Sequence, residues 1–217
     1  MTLENSKRNI VILVAVSFLL SIGFYAFLPG YMVTHWGLND EPNGTMTRFW
    51  GSFFLPLLLV FLASVLYYSP KYYPLRDKYG QFEGVYLKFI LALLVFMDMM
   101  HLDVLLWNVG FEISPTKILI GSLAVLFYLL GGFLPKIERN FLIGIRTPWT
   151  LSSDEVWHET HRVGGTLFKV VGVVTLFGYF FEKYQFYFVF VPVILGSVFL
   201  TLFSAILAAT KDHHENL

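Results

Sequence analysis

Six long apolar runs divide this chain, at residues 10–28, 49–68, 86–107, 118–134, 163–181 and 186–209. A helix needs about 20 apolar residues to cross a bilayer core, and each run is near that length. The expected fold is therefore all-α: a polytopic membrane helical bundle with six transmembrane helices. Only 14% of the residues are charged, against about 25% in a typical soluble domain. So few charges cannot coat a water-exposed globule, whereas lipid asks for none. The run 10–28 follows Lys7 and Arg8, as a signal peptide would, but it exceeds the ~7–15 apolar residues of such a segment and reads as a span.

Orientation follows from the bias of Lys and Arg toward cytoplasmic loops. With the N-terminus inside, that side holds Lys7, Arg8, Lys71, Arg76, Lys78, Lys136, Arg139, Arg146, Arg162 and Lys211, and the other side only Arg48, Lys117 and Lys183. Lys88 and Lys169 fall just inside their spans, near the cytoplasmic ends, where long stems reach the headgroups. Both termini are expected to be cytoplasmic. Fifteen basic and fifteen acidic residues cancel, so the attraction that drives phosphate-backbone binding is missing and no direct nucleic acid binding is expected. The absence of cysteine excludes disulfides, thiol nucleophiles and thiolate metal sites.

Two loops carry more than a connection needs. The outer one, from Leu28 to Thr45, combines Pro and Gly with His35-Trp36, Asp40, Glu41 and Pro42, and is expected to fold as a compact turn structure with His35, Trp36 and Pro42 available to a ligand. The inner loop, 135–162, begins with an apolar stretch, Phe141-Leu142-Ile143, expected to lie on the cytoplasmic leaflet with Trp149 at headgroup depth and Arg146 reaching phosphates. Pro148 bars a helix through Thr147. Ser152 with Glu155 three residues on reads as a capping box that opens a helix running into the fifth span. On that helix Trp157, His161 and Phe168 share a face with Gly164 and Gly165, which would let a neighbouring helix come close.

The run Ile143-Gly144-Ile145-Arg146-Thr147-Pro148-Trp149-Thr150-Leu151, with Trp157, His161, Arg162, Gly164 and Gly165 after it, closely resembles the signature of the SdpI family of integral membrane proteins. The outer loop resembles the module of unknown function, DUF1648, that often precedes it. Where that module commonly shows Gly-x-Pro-Asp, this chain departs with Asp40-Glu41-Pro42-Asn43. The resemblance implies a division at residues 1–68 and 69–217. It also implies immunity to, or sensing of, a secreted membrane-active peptide toxin outside, and recruitment of a cytosolic transcriptional regulator inside.

In the third span, Asp98 and His101 sit about 60° apart on a helix and are expected to pair, while Asp103 is expected at the interface. Ionisable groups at such depth are costly and mark ion or proton paths by default, so a rival reading is a small transporter using Asp98 and His101, with His35 within conceivable reach. A third is a structural membrane subunit. His158-Glu159-Thr160-His161 has two residues between its histidines where a zinc protease has three. No enzyme chemistry, metal or cofactor is called for.

Overall fold

The computed structural model describes residues 2–72 and 78–215, with side chains through Lys211; Arg76, counted above on the inner face, lies outside the described residues. The chain forms α1 (Leu3–Tyr25), β1 (Tyr31–Trp36), β2 (Pro42–Thr47), α2 (Arg48–Tyr68), α3 (Tyr79–Asn108), α4 (Pro115–Phe133), α5 (Pro148–Ser152), α6 (Asp154–Gly178) and α7 (Tyr187–Glu215). The starts of α1, α4, α5 and α6 use short oxygen-bearing side chains as caps, meeting orphan N–H groups of the first turn. Thr2 accepts from Asn5 N–H at 3.3 Å, and Ser114 accepts from Lys117 N–H ahead of Pro115 at the first helical position.

Among the described residues, α1, α2, α3, α4 and α7 are long and apolar enough to cross a membrane. The fifth of the expected spans lies within α6, whose 25 residues are long enough, but Asp154, Glu155, Glu159 and Arg162 crowd its first turns and, with Lys169 further along, lower its mean hydropathy. Val11, Leu19, Phe61, Phe199, Leu202 and Ile206 are exposed on the outside of the bundle, an apolar coat that suits lipid contact. Inside, Leu59, Phe82, Tyr86, Leu87, Ile90, Leu94 and Trp157 form one buried cluster, with α3 its most enclosed spanning helix.

Ion pairs and hydrogen bonds distinguish the two ends of the bundle. At one, here the motif end, Lys7 pairs with Glu83 at 2.9 Å, Arg139 with Asp154 at 2.6 Å, and Lys211 with Glu155. The starts of α1, α3 and α6 and the end of α7 therefore meet there. At the other, the hairpin end, Lys117 pairs with Glu182 at 2.6 Å, joining the start of α4 to the α6–α7 link. Between the ends α4 and α6 run antiparallel and nearly touch. A Cβ on Gly131 would lie 2.6 Å from the Gly165 carbonyl oxygen, and one on Gly172 2.7 Å from that of Ala124. Small residues permit this backbone approach.

Candidate functional site

At the motif end the loop after α4 turns inward. Asn140 is fully buried; its Oδ1 accepts from the N–H groups of Leu142 at 2.7 Å and Ile143 at 2.9 Å, and its Nδ2 donates to the Glu138 carbonyl. That turn carries Ile143 into the core beside Trp157. The stretch expected on the membrane surface is thus only partly so: Phe141 is exposed while Ile143 is 5% exposed, because the asparagine turn redirects the chain.

Trp157 is fully buried, and its indole N–H donates to the Ile137 carbonyl at 2.6 Å. Its ring stacks on that of His161, with centroids 3.9 Å apart. His161 Nδ1 lies 2.8 Å from the Trp157 carbonyl, which can only accept, so Nδ1 carries the hydrogen. Nε2 is then free to accept from Ile145 N–H at 2.9 Å. One neutral tautomer therefore fastens the motif loop to α6. Gly144 makes this possible in two ways: its φ is +113°, and a Cβ there would lie 2.5 Å from His161 Nε2. Gly164 leaves the space filled by Ile145, whose Cδ1 would be 2.4 Å from an added Cβ.

Pro148 does stop a helix from passing through Thr147, yet it also opens one. Thr147 caps α5 in a reciprocal box with Thr150, and Thr147 Oγ1 lies 3.0 Å from Ser204 Oγ on α7. The expected Ser152–Glu155 capping box does not form. Ser152 belongs to α5 and donates to the Trp149 carbonyl, Ser153 caps α6 by accepting from Val156 N–H, and Glu155 binds Lys211 instead. Lys78, with Arg139 beside it, holds the Asp154 carboxyl below the usual carboxylate range. The signature residues divide by exposure: Thr147, Trp157, His161, Gly164 and Gly165 are buried and build the loop, whereas Arg146, Pro148, Trp149 and Arg162 face outward.

At the hairpin end the outer loop is an antiparallel hairpin, pairing Tyr31 with Thr47 and Trp36 with Pro42, with irregularities around His35. Two side chains moor it. Asn108 acts as a substitute strand: Oδ1 accepts from Val33 N–H and Nδ2 donates to the Val33 carbonyl, both at 2.8 Å. Asp40, at φ +61°, accepts from the Ser114 hydroxyl and from the N–H and hydroxyl of Thr116, placing a carboxylate on the positive end of α4. Trp36 packs edge-on against Trp107, centroids 5.4 Å apart. His35 and Pro42 are exposed, and His35 Nδ1 donates to Asn43 Oδ1.

Within the bundle, Ser21 Oγ lies 2.6 Å from the Ser52 carbonyl and 2.9 Å from His101 Nε2. The single hydroxyl hydrogen goes to the carbonyl, so His101 Nε2–H donates to Ser21. Asp98 and His101 do not form the expected pair. Both Asp98 oxygens and His101 Nδ1 are buried without a hydrogen-bond partner among the described residues, because His101 turns toward α1. Asp103, expected at the interface, is 7% exposed. His35 is engaged with Asn43, and no three potential metal ligands gather among the described residues.

This arrangement can be set beside known proteins. Over 204 residues, 91% of this chain and 94% of the relative, it is 30% identical to Immunity protein SdpI of Bacillus subtilis strain 168. The chain belongs to the SdpI family. The model of the SdpI/YfhL protein family matches residues 136–208, and that of the domain of unknown function DUF1648 matches residues 12–60. A second B. subtilis relative, Uncharacterized membrane protein YbgB, is 40% identical over 50 residues, 23% of this chain and 55% of that protein. No solved structure matches. As an SdpI-family member with five helices fit to span a bilayer, it is a multi-pass protein of the cell membrane. The SdpI match begins where the inward-turning loop begins, and the DUF1648 match contains the whole hairpin.

Three residues outside the SdpI signature prove to be structural: Asn140 turns the motif loop inward, and at the other end Asn108 and Asp40 moor the hairpin. Asn140 could have been found from its position just before an apolar stretch, where an asparagine side chain commonly bonds the backbone two residues on.

Proposed function

We propose that this protein protects its cell against a membrane-active peptide toxin, or senses one, as a six-span bundle with both termini in the cytoplasm. The observation that carries this reading is the near full-length similarity to Immunity protein SdpI. The positive-inside distribution supports the orientation: the motif end holds the Lys and Arg excess, so the hairpin faces outward and presents His35 and Pro42 to the ligand, with Trp36 half-buried against Trp107 beside them. The connections support a relay. Asp40 joins the hairpin to the start of α4, α4 lies backbone to backbone along α6, and the first turns of α6 hold the motif loop through His161. Arg146, Pro148, Trp149 and Arg162 then face a cytosolic regulator.

The test is expression in a sensitive bacterium followed by challenge with candidate membrane-active peptides; survival of wild-type cells with no gain over an empty vector sinks the reading. Arg146→Ala and Trp149→Ala change exposed side chains, so the folded yield is expected to hold. Capture of the cytosolic partner is expected to fall about thirtyfold for each, the ~2 kcal/mol typical of an interface anchor. Unchanged capture and unchanged protection in both would remove the relay.

One observation favours a second reading, ion or proton coupling: the buried, unpartnered Asp98 oxygens beside the Ser21 and His101 contact. It predicts pH-dependent flux in proteoliposomes that Asp98→Asn abolishes. A wild-type protein with no flux ends it.

A further inference from the structure

An open groove of about 480 Å³ runs between α3 and α4 on the outside of the bundle, walled by Val95 and Met99 on one side and Val125 and Leu129 on the other. Gly121 lies at its far end, where an added Cβ would meet nothing within 4 Å. At the motif end Lys88 and Phe133 bound it. Phe133 also lines a second hollow, of about 270 Å³, that continues to Ile145 and Arg146. That ring lines both hollows, one with the exposed Lys88 on its wall and the other with the exposed Arg146. Lys88 has no ion-pair or hydrogen-bond partner among the described residues, and Arg146 gives only one hydrogen bond, to the Phe141 carbonyl.

The length of the groove identifies the occupant. From Lys88 to Met99 the helix rises about 16 Å at 1.5 Å per residue, which is half of the ~30 Å hydrocarbon core. A transmembrane helix of a second copy would need the full depth, and would bring apolar side chains against the Lys88 ammonium. An acyl chain of a single leaflet needs half. We propose that this groove is a binding site for an anionic phospholipid of the inner leaflet, its acyl chain between α3 and α4 and its phosphate between Lys88 and Arg146. The site rests on the cytoplasmic orientation of the motif end, where anionic lipids attract nearby Lys and Arg. An occupied headgroup site fixes Arg146, and with it the outward face of the motif loop, at a set depth.

The full chain, purified in detergent, is titrated with phosphatidylglycerol and with phosphatidylcholine of the same acyl chains, and the adducts are read by native mass spectrometry. Phosphatidylglycerol is expected to bind more tightly. Lys88→Gln and Arg146→Gln are each expected to weaken it about fivefold, the contribution of one basic residue near an anionic surface, with phosphatidylcholine unchanged. Gly121→Phe, which fills open space, is expected to weaken both lipids. Equal affinity for the two lipids, or an intact preference in the Lys88→Gln and Arg146→Gln variants, overturns the headgroup site. Gly121→Phe that dissociates a dimer but leaves lipid binding unchanged overturns the acyl site in favour of a second copy. Because the readout is lipid mass, a failed toxin challenge with lipid preference intact counts against the protective role alone.

Discussion

Trp157→Ala is expected to lower the stability of the bundle by about 3–5 kcal/mol, the range for removing a large buried aromatic from a core that relaxes only in part. The indole is enclosed by Ile137, Ile143 and the α3 side chains of the central cluster. Its loss also leaves the Ile137 carbonyl without the 2.6 Å donor and strips the stacking partner from His161. Trp157→Phe keeps much of the volume but not the N–H, and is expected to cost about 1–3 kcal/mol, the penalty of an unmet buried acceptor. Chemical unfolding in detergent micelles measures both. A wild-type midpoint for Trp157→Ala would mean that the loop does not close on α6 as described.

Asp40→Ala is the second large effect. The carboxylate accepts three hydrogen bonds from Ser114 and Thr116, and bonds to a charged group are worth about 1.5–3 kcal/mol each, not additively when they share one acceptor. The expected loss is about 2–4 kcal/mol in the docking of the hairpin on α4. Faster amide exchange at Thr116 and along β1 and β2 would report it. Asp40→Gly separates backbone from carboxylate: it suits φ +61° better yet should loosen the hairpin as well. If Asp40→Gly matched wild type in exchange, the carboxylate contacts would not be what moors the loop. Under the protective reading, both variants lose protection while the motif end stays folded.

Five of the six expected spans match helices long and apolar enough to cross a membrane, because membrane crossing is a property of length and composition, both local. Boundaries came within a few residues in α2 and α4 for the same reason, while α7 begins where expected and runs six residues further, to Glu215. The motif residues were legible as a group, but their division into buried framework and exposed face was not. His161 reads alone as a titratable group on an amphipathic turn, and only the return of Ile145 to its Nε2 shows it as a clasp. Ser152 and Ser153 are adjacent and equally good caps; the short α5, set by Thr147 and Thr150, takes the first and leaves the second. The Asp98–His101 pair failed because helical spacing ignores other helices, and Ser21 of α1 offered His101 a partner. Asn108 closing on Val33 lies 75 residues apart in sequence, beyond any periodicity.

The glycine seam between α4 and α6 bears on how this membrane protein can move. Where Gly131 and Gly165 have no Cβ, a hydrogen on each Cα faces the other's carbonyl oxygen, a weak contact that decays quickly with displacement. A slip of one helical turn, ~5.4 Å, would carry these glycines past one another and press the larger seam side chains, Tyr128 beside Gly172 and Lys169 beside Gly131, into a gap sized for hydrogens. A full-turn slide is therefore opposed by the packing, whereas tilting as a pair keeps every one of these close approaches in place.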